Sequence, residues 1–128
     1  MSGYVTSAVE LTGDGFDATA QTADIGTTSL DAAPVTGRYR VSAYIIVTTV
    51  GTTSTLPSIV LTWNDADSGQ TQTLTLTPTN AGNALTTLQF NDAFISANVS
   101  APIAFSTTGY ASTGTPMQFA IHITLEAL

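Results

Sequence analysis

Apolar and polar residues alternate with a period of two along most of this chain, and clusters of turn-forming residues separate the alternating runs. The clearest run is Tyr39 to Val50. Tyr39, Val41, Ala43, Ile45 and Val47 share one face, and Arg40, Ser42, Tyr44, Ile46 and Thr48 share the other. Tyr44 and Ile46 make the second face partly apolar, and a strand apolar on both sides is expected to be covered on both sides. The closing run, Met117 to Leu125, alternates as cleanly. Phe119, Ile121, Ile123 and Leu125 point inward, and Gln118, Ala120, His122, Thr124 and Glu126 stand opposite.

Between these lie Ile59, Leu61 and Trp63, in phase with one another and expected in the core. Asn64 to Gly69 follows, a turn by composition, and then Thr71 to Thr77 with Leu74 and Leu76 directed inward. Those two runs form a predicted hairpin, broken by Pro78 and the Asn80–Asn83 cluster. Leu85 to Phe90 is a further run with Leu88 and Phe90 on one face. Asn91 to Ser100 is ambiguous, with room for one short helical turn, and Ile103 and Phe105 mark another strand. Gly51–Ser58 and Tyr110–Pro116 read as loops. Near the start, Tyr4 to Leu11 and Ile25 to Leu30 read as short strands, and Thr12 to Ala23 as polar and turn-rich. The expected organisation is an N-terminal attachment segment or edge strand at 1–24 and a β-domain at 25–128. About eight short strands without helices predict an all-β, antiparallel jelly-roll sandwich, with an up-and-down barrel as the competing architecture.

Composition supports that picture and narrows the partners. Thr supplies about one residue in five, and its branched Cβ suits a pleated strand. Charged residues make up only 9% of the chain, and its net charge of -7 includes just two basic residues, Arg38 and Arg40. Nucleic-acid binding needs Lys and Arg to displace counterions, and anionic membrane surfaces need the same, so neither partner is expected. No apolar run approaches the roughly 20 residues of a membrane-spanning helix, so no membrane insertion is expected. The first residues, MSGYVTSAVELTG, lack the basic start and apolar block of a signal peptide. Without cysteine, neither a disulfide framework nor a Cys-based zinc site is available.

The candidate chemistry is sparse. His122 is the sole histidine, and no nucleophile or carboxylate is marked as its partner, so it is read as a packed or interfacial side chain. Asp65-Ala66-Asp67-Ser68-Gly69 has the alternating oxygens of a calcium loop. It lacks the further ligand before its glycine and the later bidentate Glu, so it is read as a hairpin turn; Asp14-Gly15-Phe16-Asp17 is a weaker case of the same pattern. Arg38 and Arg40 are expected in ion pairs or, as the sharper alternative, on an anionic glycan. Tyr110, in a loop of Gly, Ser and Thr, is the expected exposed aromatic contact for a receptor or glycan. No cofactor, no metal and no enzymatic activity is expected.

Gly37, Tyr39, Val41 and Ser42, following Pro34, resemble the opening strand of the complement-globular-head and tumour-necrosis-factor-like jelly rolls. A closer resemblance is to bacteriophage virion β-domains. It rests on Thr27-Thr28-Ser29-Leu30, Gly37 to Tyr44, Ile59 to Asp65, Ile103 to Thr108, Gly114 to Pro116 and Leu125 to Leu128. The resemblance covers residues 25–128 and consists of strand patterns. It implies a homotrimer serving as a head fibre, decoration protein or tail-tip receptor-binding module. Other virion proteins, and a host-surface glycan, would be its partners. Such a protein is assembled in the host cytoplasm and resides on the capsid or tail surface. Within a trimer, Tyr44, Ile46 and His122 are the expected subunit-interface residues. A carbohydrate-binding module of a bacterial surface or secreted complex is the alternative.

Overall fold

The computed structural model describes residues 9–10, 15–31, 35–77 and 80–128. Its strands are β1 (Val9–Glu10), β2 (Phe16–Gln21), β3 (Thr28–Asp31), β4 (Gly37–Thr49), β5 (Thr53–Leu56) and β6 (Ser58–Asn64). After these come β7 (Thr71–Thr77), β8 (Asn80–Ala81), β9 (Leu88–Ala97), β10 (Ile103–Thr108), β11 (Ala111–Thr113) and β12 (Gln118–Ala127). No described residue is helical. One sheet runs β1-β12-β4-β9, with β2 beside β1 on the β12 flank, and the second runs β3-β10-β6-β7. A small sheet, β11-β5-β8, closes one end.

The pairings are nested. Strand β2 pairs with β12, β3 with β10, β4 with β9 and β6 with β7, all antiparallel. The chain is thus one long hairpin, rolled so that successive pairs fall in alternate sheets. That is the jelly-roll topology, which allows β4 and the C-terminal β12 to be sheet neighbours despite their distance in sequence.

Period-two alternation then fixes the core. The odd-numbered residues of β4 and β12, from Tyr39 to Val47 and from Phe119 to Leu125, are buried. They face Leu30, Ile59, Leu61, Ile103 and Phe105 from the opposite sheet. Each such side chain contributes about 1.5–3 kcal/mol by leaving water. Phe16 on β2 reaches across to Phe105, with ring centroids 4.9 Å apart and planes tilted by 55°.

Three runs depart from the expected pattern. Asn91 to Ala97 is not a helical turn but the continuation of β9, held by a ladder to β4 from Gly37↔Ala97 to Ile46↔Leu88. Phe16 to Gln21 lies in the stretch expected to be turn-rich, yet it is a strand, because main-chain pairing to β12 needs no apolar side chains. Its bulge opposite Ala120 puts Ala20 at φ 54°, a left-handed value. Leu74 stands opposite Leu61, but β7 is an edge strand and leaves it 41% exposed. The loops expected at 51–58 and 110–116 contain β5 and β11. Within 1–24, β1 and β2 belong to the first sheet; residues 4–8, 11 and 14 lie outside the described residues, as do Pro34 and Pro78.

A polar clamp fixes the approach to β3. The Thr107 hydroxyl accepts the Ile25 N–H at 2.7 Å and donates to the Asp24 carboxylate at 3.2 Å, which also accepts the Tyr110 N–H at 3.1 Å. Thr107 is itself buried. Thr107→Val keeps the shape but leaves the Ile25 N–H without its acceptor. It is expected to cost about 1–3 kcal/mol in urea unfolding.

Candidate functional site

The distinctive surface is the outer face of the β2-β12-β4-β9 sheet, and the strand register dictates its layout. Asp17, His122, Tyr44 and Phe90 form one row across the four strands. Ala120, Ile46 and Leu88 form the row on one side; Thr124, Ser42 and Asp92, then Glu126, Arg40 and Phe94, form the rows on the other. Arg38 follows, beside Ser96, and the Leu128 N–H donates to its carbonyl.

Strand β9 is inverted relative to the usual logic of a sandwich. Its outer face carries Leu88 at 49%, Phe90 at 62% and Phe94 at 65% exposure, and its inner face begins with Gln89, only 7% exposed. Both polar atoms of the Gln89 side chain are buried without a hydrogen-bond partner. Asn91, next on the inner face, donates its side-chain N–H to the Leu76 carbonyl. Slipping the register by one residue would turn the phenyl rings inward, but it would bury Asp92 and expose Ile95. Exposed apolar groups concentrated on one sheet face are a mark of a contact surface.

The polar groups of the face are organised. Arg40 makes a bidentate pair with Glu126, Nε to Oε1 at 3.1 Å and Nη2 to Oε2 at 3.3 Å. Hydrogen bonding and charge from Glu126, with a smaller share from Asp92, hold the guanidinium even more firmly protonated than usual. His122 Nδ1 lies 2.7 Å from Asp17 Oδ1, and its ring stacks on Tyr44 with centroids 6.3 Å apart. Arg38 is exposed and has no carboxylate within ion-pair distance among the described residues.

The residues singled out by sequence therefore divide. Tyr44, Ile46, His122, Arg38 and Arg40 share this face. Tyr110 does not: it is half-buried, its ring packs on Phe119 at 5.8 Å, and its hydroxyl donates to the Met117 carbonyl at 2.6 Å. The expected exposed contact is a core-rim side chain, held where the Ser112–Met117 turn brings the Met117 carbonyl to its hydroxyl. Phe119 pairs with Val47, so Tyr110 and Arg38 sit at opposite ends of β4, roughly 30 Å apart by the rise of a strand. Trp63, expected in the core, is half-buried and packs only against its margin. Phe94 carries no mark in the sequence, and Asp17 enters there only in the weak Asp14–Asp17 calcium-loop pattern. Only the register reveals that they join this face.

The Asp65–Gly69 segment is the apex of the rolled hairpin. The Asp65 carboxylate accepts the N–H groups of Ser68 at 2.8 Å and Asp67 at 3.1 Å, and Gly69 closes the turn at φ 72°. The Ser68 N–H in particular holds the Asp65 carboxyl below its ordinary value of 3.8. A depressed folded-state value stabilises the fold above the unfolded value, and that contribution is lost as pH falls through the folded one. Thermal melts below pH 4 should thus fall less steeply for Asp65→Asn than for the parent chain. Equal slopes would show that this turn contributes nothing. Among the described residues, no three His, Asp or Glu side chains gather as a metal site, and no enclosed pocket is present.

No protein family and no curated protein matches this chain. Among solved structures, it is similar to a part of one that comprises the CBM22-1 and GH10 modules of endo-1,4-β-D-xylanase 10B from Clostridium thermocellum, complexed with xylohexaose. The match has 19% identity and a TM-score of 0.45, covering 94% of this chain and 24% of that one. This chain thus spans about a quarter of the length of the structure it matches.

Proposed function

We propose that this jelly roll is a non-catalytic structural or adhesive module of a larger assembly, working as a homotrimer. The virion role implied by its sequence patterns, as head fibre, decoration or receptor-binding tip, is the setting we assign to it. The carrying observation is the open outer face of the first sheet, where Leu88, Phe90 and Phe94 lie exposed beside Tyr44 and Ile46. An apolar face of this kind is stabilised by contact and offers no enclosed space for chemistry. Light scattering at micromolar concentration tests the reading. A molar mass about three times the 13.2 kDa of one chain is expected, and a monomer would reject the trimer.

A second reading, a carbohydrate-binding module, is favoured by one feature of the same face. The Tyr44–His122 stack and the exposed phenyl rings lie beside the Arg40–Glu126 pair, setting flat apolar surfaces next to hydrogen-bonding groups. Retardation of the monomer in gels containing soluble polysaccharide, abolished by Phe90→Ala, would select this reading.

A further inference from the structure

The strip formed by Leu88, Phe90 and Phe94 is the most exposed apolar part of the outer face. We propose that its occupant is the equivalent face of a second copy of this chain, an inference that rests on the assembly reading above. Charge commits the strip to that partner. The two fixed cations, Arg38 and Arg40, and the one histidine all project from this face, which also carries Asp17, Asp92 and Glu126. Asp24 and Asp31 lie on the side of the other sheet, and Asp65 and Asp67 belong to the turn that borders the β9 edge. A polyanion would meet these carboxylates, with Glu10 next to Glu126 in the β1–β12 register, and a polycation would meet the arginines. A face bearing both signs around an apolar centre can meet copies of itself turned toward one threefold axis, its cations against the next copy's carboxylates. Arg38, unpaired among the described residues, supplies the cation for a neighbour's Asp92.

The contact is made through the face and not by adding a strand to the β9 edge. The edge-directed Asp92 N–H is already taken by the Asn91 side chain at 2.9 Å, and the edge-directed Ser96 carbonyl accepts the Ala66 N–H at 3.0 Å. The loop at 64–66 also covers the edge, through the Asp65↔Ala97 bridge. Two half-exposed phenyl side chains and a leucine offer on the order of 300 Å². A specific interface buries about 800 Å² per partner, so the strip is the centre of the contact. Tyr44, Ile46 and the arginine stems complete it, with charged groups at the rim.

Sedimentation velocity on the full chain tests the assignment. The parent protein should sediment as an oligomer, and Phe90→Asp and Phe94→Asp should each sediment as a monomer with unchanged far-ultraviolet circular dichroism. Thr73→Asp, which adds the same charge on the outer face of the other sheet, should sediment like the parent. If an aspartate variant fails to fold, Phe94→Ser carries the test, with at least a tenfold weaker association expected. An oligomeric parent whose Phe90 and Phe94 variants remain oligomeric would overturn this surface while leaving the assembly reading intact. A monomeric parent overturns both, and polysaccharide binding by that monomer would give the strip to a glycan.

Discussion

Phe105→Ala is expected to lower the free energy of unfolding by about 3–5 kcal/mol, the usual cost of emptying a phenyl-sized site in a core. Phe105 is 1% exposed on β10, paired with Leu61 on β6 and Thr28 on β3. It is also the residue that Phe16 meets from the opposite sheet. Its loss therefore removes packing within one sheet and the contact that fastens β2 across the sandwich. Urea unfolding followed by Trp63 fluorescence measures the effect. Phe16→Ala should cost less, because Phe16 is only half-buried. A double-mutant cycle should return a coupling of about 0.5–1.5 kcal/mol between the two rings. Additive losses would mean that the rings fill space independently.

Gln89→Leu is expected to stabilise the protein by about 2–3 kcal/mol. The Gln89 side chain lies opposite Ile45 on the inner face, and neither its N–H groups nor its carbonyl has a partner. Leaving such groups unsatisfied in a core costs about 1–3 kcal/mol, and leucine of similar volume adds the gain of apolar burial. The urea midpoint should rise at constant slope, with oligomeric state unchanged, because residue 89 faces away from the exposed strip. A neutral or destabilising result would contradict the inward orientation of Gln89, and with it the register that exposes Phe90 and Phe94.

The strands most legible in the sequence were those whose two faces differ most. Every second residue from Tyr39 to Val47 and from Phe119 to Leu125 is apolar, so β4, β12 and the side chains they bury could be read directly. The β6–β7 hairpin was equally plain, because Asn64 to Gly69 supplies the turn between two alternating runs. Strand β9 was obscured for a physical reason. Its apolar residues face outward and a glutamine faces inward, so alternation fixes the period but misstates which side is the core. Strand β2 was hidden because only Phe16 and Ala18 pack on the core and the rest is held by main-chain pairing to β12, a partner about a hundred residues away. The candidate face was half legible. Tyr44, Ile46 and His122 declared themselves by apolarity and scarcity, but the alignment of Tyr44 and His122 with Asp17 and Phe90 is a product of register between distant strands. The position of Tyr110 also depended on a tertiary contact, with Phe119, which no local pattern encodes.

Hydroxyl-radical footprinting read by mass spectrometry reports directly on whether the outer face is covered at working concentration. Phe90 and Phe94, 62% and 65% exposed on one isolated chain, should label several-fold more slowly than in the unfolded chain, with Tyr44 protected alongside them. Leu74, exposed at the edge of the other sheet, should label freely in the same sample. Labelling of Phe90 and Phe94 as fast as that of Leu74, at every concentration, would contradict a covered face.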